Sequence, residues 1–186
     1  MKYFLGFLVS IGLIVLVFIL IMRGFSGGTK QTQKPLSDYA GTASVVQLKV
    51  SGPIVGDQQF QSYQVTVGRD NVTIDTMSGY QNTLIAEKTY PNNQESYVNF
   101  LRALDFAGFT KGDTKSTNTD ERGTCATGDR DVLQILNGTS ETQRFWTTTC
   151  RGQGGTFKGS TDAIRRLFNL QVPPIDFGTM TGHLNL

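Results

Sequence analysis

Apolar and polar residues alternate with two different periods along this chain, and one stretch does not alternate at all. Tyr3 to Met22 carries no charged side chain and is bracketed by Lys2 and Arg23. Those 20 residues, at a helical rise of about 1.5 Å, cover roughly the 30 Å hydrocarbon core of a bilayer. A helix also satisfies its own backbone there, so residues 1–23 are predicted to be a transmembrane anchor. A secretory signal has an apolar core of only about 7–15 residues and a small-x-small exit. Ile21-Met22-Arg23-Gly24-Phe25 is no such exit, and Ile11 stands where a pilin-type helix would carry glutamate. Residues 24–37, rich in Gly, Ser, Thr and Gln, have too little apolar surface to offset the entropy of ordering and are predicted to be a flexible linker.

From Asp38 to Leu186 the pattern is that of one soluble α+β domain. Val46, Leu48 and Val50 alternate with Gln47 and Lys49 as a half-buried strand stopped by Gly52-Pro53. Tyr63 to Val67 and Val72 to Met77 repeat that alternation around Gly68-Arg69-Asp70-Asn71, a hairpin signal, and Thr83 to Thr89 supplies a further strand. The period then changes. Tyr97, Phe100, Leu101 and Leu104 share one face of a helix predicted from about Gln94 to Phe106, with Asn93 as N-cap and Gly108 at the C-cap. The second half follows the same order. Asp131 to Leu136 and Thr142 to Thr149 flank Asn137-Gly138, and Ser160 caps a helix bearing Ile164, Leu167 and Phe168. With an offset of 67 residues, Val65 falls on Val132 and Tyr97 on Ile164. The expectation is an antiparallel sheet with two helices on one face, with either a duplicated hairpin-helix unit or the chance likeness of two ββα segments behind the repeat.

Charge adds an orientation question. Of 17 basic residues four precede Asp38, whereas all 15 acidic ones lie from Asp38 onward, so the domain is −2 and the whole chain +2. Lys and Arg beside the anchor would place the domain in the cytoplasm by the positive-inside count, although long C-terminal domains translocate despite flanking charge. A charged fraction of 17%, against about 25% for an average globular protein, and one spaced cysteine pair favour an exported domain outside the cytoplasm. The lipid bilayer is the first expected partner. The few scattered arginines, Arg151, Arg165 and Arg166, on a domain of negative charge give no nucleic-acid footprint.

Candidate chemistry is sparse. If Asn137 and Gly138 are the central turn residues, facing positions have numbers summing to 275, as 125 and 150 do, so Cys125 and Cys150 face one another within disulfide range. A bulge or a longer turn would shift that register, and two buried free thiols are the alternative. Metal binding lacks two further ligands, the only histidine being His183, and no cofactor is expected. Gly152 to Ser160 has the glycines, lysine and hydroxyl of a phosphate loop in the wrong order. Asp120, Glu121, Asp129 and Asp131 supply carboxylates for acid/base work, yet their spacing matches solvated loop charges. Phe145 and Trp146 are candidates for an aromatic binding platform, but of two adjacent side chains on a strand one must point inward, so core packing is expected for one of them. Lys111 to Gly123 is polar throughout, and its Lys111, Asp113, Lys115, Asp120, Glu121 and Arg122 make it either a connector or a partner-binding loop.

The Met1-Lys2-Tyr3 opening, Tyr97 to Leu104 followed by Ala107-Gly108-Phe109, Gly123-Thr124-Cys125, Trp146 to Cys150, and Arg166 to Pro173 resemble uncharacterised single-anchor envelope proteins of reduced-genome candidate-phylum bacteria such as Saccharibacteria. The resemblance implies a small bacterial envelope protein and carries no catalytic residue across. The sequence therefore points to a membrane-anchored extracytoplasmic domain that binds or scaffolds an unknown protein or envelope ligand. The alternative is a small envelope hydrolase acting through carboxylates.

Overall fold

Alternating side chains become the two faces of one sheet. In the computed structural model of the chain, residues 35–41 and 43–181 are described; the anchor, the linker as far as Lys34, and His183 lie outside them. Among the described residues no helix is long and apolar enough to cross a membrane. Six strands, β1 (Ser44–Ser51), β2 (Gln61–Val67), β3 (Asn71–Ser78), β4 (Thr83–Pro91), β5 (Arg130–Asn137) and β6 (Ser140–Thr148), form an antiparallel sheet in the order β4-β3-β2-β1-β5-β6. The class is α+β, with the first half contributing four strands before its helix and the second half two.

Because facing residues point to the same side, Leu48 joins Val65 and Ile74 on one flank and Leu133 and Phe145 on the other in a single apolar row. That row is buried against α1 (Gln94–Ala107) and α2 (Thr161–Asn169), whose Tyr97, Phe100, Leu101, Leu104, Ile164 and Phe168 complete the core. Both caps form as the sequence predicts. The Asn93 side chain accepts from the Ser96 amide at 2.9 Å, and Gly108 ends α1 in the left-handed region at φ 82°. Ser160 caps α2 by accepting from Ala163. A third helix, α3 (Pro174–Thr181), follows Pro173, where the sequence reading stops; it docks on the sheet through Asp176, which takes the Lys88 ammonium and the Tyr90 hydroxyl.

Two expectations are corrected. Leu36, assigned to the linker, is fully buried in a 3-10 helix (Leu36–Gly41) that packs on α1, so the folded unit begins at Pro35, not Asp38. A lone leucine in a polar run has no periodicity to reveal it. The second hairpin also turns one position later than predicted: Asn137 pairs with Ser140, leaving Gly138 and Thr139 at the centre, and a bulge between Ile135 and Leu136 shifts the ladder again.

Candidate ligand pocket

Side chains between the apolar positions point away from the helices. The row Lys49, Gln64, Asp75 and Glu87 continues on the other flank into Val132 and Trp146. The neighbouring row joins Arg130, Ser51, Ser62 and Met77. Over β5 and β6 this second face is covered by the long segment between α1 and β5. Trp146 donates its indole N–H to the Asn118 carbonyl at 2.9 Å, Arg144 donates to the Thr119 carbonyl at 2.5 Å, and Glu121 pairs with Arg144. Phe145 and Trp146 are therefore both buried, on opposite faces, and present no exposed platform.

Where that cover ends, a half-open cavity of about 360 Å³ remains, lined by Lys49, Ser51, Ile54, Phe60, Tyr80, Asn82, Glu121, Arg122, Gly123 and Arg130. Its apolar wall is a stacked pair, Phe60 and Tyr80, with ring centroids 4.2 Å apart. Backbone chemistry sets this wall. Gly79 at φ 70° and Asn82 at φ 53° turn the chain tightly between β3 and β4. The Tyr80 amide donates to Asp57 Oδ1 at 2.8 Å, its hydroxyl donates to the Val55 carbonyl at 2.7 Å, and the Gly79 amide donates to the Phe60 carbonyl at 2.9 Å. Arg130 lies over the Phe60 ring, 5.7 Å from its centroid, and donates to the Gly52 carbonyl.

Three cations, Lys49, Arg122 and Arg130, line this cavity against one acid, Glu121, which favours the charged forms of Lys49 and Arg130 without touching either. Arg130 is only 4% exposed, its Nε has no hydrogen-bond partner, and burial pulls its guanidinium below the ordinary value. Burial likewise lowers the Lys49 ammonium, whose hydrogen bond goes to Asn82 Oδ1 at 2.6 Å. Among the described residues neither cation forms an ion pair. Glu121 is engaged with Arg144 and Arg122 with Asp120. The Ser62 hydroxyl, in the same cross-strand row as Arg130, is also buried without a partner.

The sequence-predicted residues divide. Glu121, Arg122 and Gly123 reach the cavity rim. Asp120 is exposed, and its hydrogen bonds from Arg122 hold it down to about 2. Lys111 and Asp113 lie elsewhere, bridged to the stretch before α2: the Asp113 amide donates to the Thr156 carbonyl, and Lys158 donates its amide to the Lys111 carbonyl. The Lys115 amide donates to the Asp113 carboxylate at 3.0 Å. Cys125 and Cys150 form a disulfide, with Cα atoms 5.4 Å apart, but not as a cross-strand pair. They lie beyond both strand ends, Cys125 in a turn at φ 50°, and clamp the segment that carries the cavity rim.

Asp129 and Asp131 are not solvated loop charges. They are 8% and 1% exposed on the helix-facing side, bound to Arg165 of α2. Two carboxylates share one guanidinium, so a negative charge is left over. Burial raises the Asp131 carboxyl despite the pull of Arg165. All four carboxylates considered for acid/base work thus engage an arginine. Among the described residues no three His, Cys, Asp or Glu side chains gather as a metal site.

The pocket residues that sequence reading missed, Lys49, Phe60, Tyr80, Asn82 and Arg130, come from separate segments brought together by strand register. The one local signal in the sequence is Tyr80, an aromatic within a Gly79 to Asn82 turn where small polar residues are the rule. No protein-family model matches the chain, and no curated protein matches it.

Proposed function

We propose that the chain is a membrane-anchored binding module of the bacterial envelope, with its folded unit outside the cytoplasm and its ligand in the cavity between Phe60–Tyr80 and Arg130. One observation carries this reading: an aromatic wall and two cations that form no ion pair among the described residues open on the sheet face that the helices leave free. Cavities of this size with a few polar groups on an apolar lining are typical small-molecule sites. Anchoring by residues 1–23 and export are supported by the uncharged run and by the disulfide, which suits an oxidising compartment. Duplication has only the hairpin-then-helix order on either side of β1 in its support, because an offset of 67 residues lays Val65, which faces the helices, on Val132, which faces away from them. Hydrolysis by carboxylates is the weaker reading, because each of the four carboxylates that the sequence puts forward for it, Asp120, Glu121, Asp129 and Asp131, engages an arginine.

The test is a fragment screen by nuclear magnetic resonance on the full chain in non-ionic micelles. Shifts gathered at Ser51, Phe60, Tyr80 and Asn82 support the proposal. Hits confined to other surfaces, or none at all, overturn it. Retention in membranes after an alkaline wash tests the anchor separately.

A further inference from the structure

Resting on the reading of this cavity as the binding site, we infer that its ligand is a carboxylate carried on a flat apolar body, the carboxylate held by Lys49 and Arg130 and the body laid on the Phe60–Tyr80 stack. The register places the two cations together. Ser51 faces Arg130 and Lys49 faces Val132, so Lys49 and Arg130 are diagonal neighbours on adjacent strands and project from the same face. Diagonal positions lie about 7–8 Å apart, a gap that two long side chains close around one small anion. A buried charge without a counter-ion is costly unless something else neutralises it, and the lining acid, Glu121, is already taken by Arg144. Arg130 Nε, buried and without a partner, is the open donor of a planar fork suited to a carboxylate. Ile54 and Tyr80, exposed at the rim, extend the apolar side.

A free aromatic acid and the C-terminal carboxylate of a peptide ending in an aromatic residue share this chemistry. Calorimetry on the full chain in non-ionic micelles, with empty micelles as blank, separates them using 2-naphthoate against 2-naphthamide and the tripeptide Ala-Ala-Phe against its C-terminal amide. In at least one pair the acid is expected to bind tenfold or more tightly than its amide, as a charge-assisted hydrogen bond implies. The pair that shows it identifies the source. Lys49→Met is expected to erase that preference; because Arg130 also holds Gly52, this half-buried lysine is the safer substitution. Equal binding of acid and amide in the cavity overturns the anion while leaving the binding module intact. Inorganic phosphate binding as tightly as naphthoate overturns the apolar body. If neither acid binds while other fragments shift Phe60 and Tyr80, the ligand class is wrong and the site stands.

Discussion

Arg165 holds Asp131 through two hydrogen bonds, Nη2 to Oδ1 at 2.6 Å and Nε to Oδ2 at 2.9 Å. The pair joins α2 to the inner face of β5, and Asp129 adds a second carboxylate at 3.2 Å. Its value is conditional, since a buried ion pair roughly breaks even against apolar packing but is expensive to break on one side.

Arg165→Met is therefore expected to destabilise the folded unit by about 3–5 kcal/mol, by abandoning two buried carboxylates. Adding Asp129→Asn and Asp131→Asn to that variant should recover much of the loss. Denaturant titration of the three proteins checks both; a triple variant no more stable than Arg165→Met would mean that packing, not charge, governs this contact.

Reducing the Cys125–Cys150 disulfide, which closes a loop spanning 25 positions, is expected to cost about 3 kcal/mol. Intact mass after alkylation without reductant should show neither cysteine modified. Spectra of the reduced protein should change most at Glu121 to Gly123, the rim that the bond clamps.

A fragment comprising residues 35–186 should be soluble and melt cooperatively, and Leu36→Ala within it should cost about 2–5 kcal/mol, the usual range for a buried leucine. An unchanged melting temperature would return Leu36 to the linker.

Asp75 is expected to be better as asparagine at neutral pH. Burial, then Glu87 directly opposite, raises its carboxyl, and its Oδ1 is buried without a partner. A raised folded-state value means that the folded chain binds the proton more tightly than the unfolded one. Stability from this group is therefore gained as pH falls through the folded value and lost above it. Asp75→Asn should add about 0.5 kcal/mol at pH 7, the scale of a cross-strand like-charge pair, and the gain should fade as pH falls through the raised folded-state value and be gone below the ordinary carboxylate value of 3.8. Thermal melts at both pH values decide it.

How far the sequence reveals the fold depends on how local the signal is. Tyr97, Phe100, Leu101 and Leu104 announce α1 because their spacing and the Asn93 and Gly108 caps act within a few turns. Val46, Leu48 and Val50 announce β1 for the same reason. The cysteine pairing was legible for a reason that does not hold: the bulge beside Leu136 breaks the predicted register, and loops beyond the ladder bring the sulfurs together. Burial of Asp129 and Asp131 depends on an arginine 34 to 36 positions away, and nothing near the aspartates signals it. The cavity is the least legible feature, since Phe60, Tyr80 and Arg130 meet only after β1 has found both of its neighbours.

The Tyr80 turn has a further consequence for how a ligand meets this surface. Its backbone is held by Asp57 and its ring by Val55 and Phe60, so the rotational freedom that a loose aromatic loop surrenders on binding is surrendered during folding instead. Encounter then resembles rigid docking on a preorganised wall, with little backbone rearrangement, and differences in affinity among ligands should arise mainly in how fast they leave.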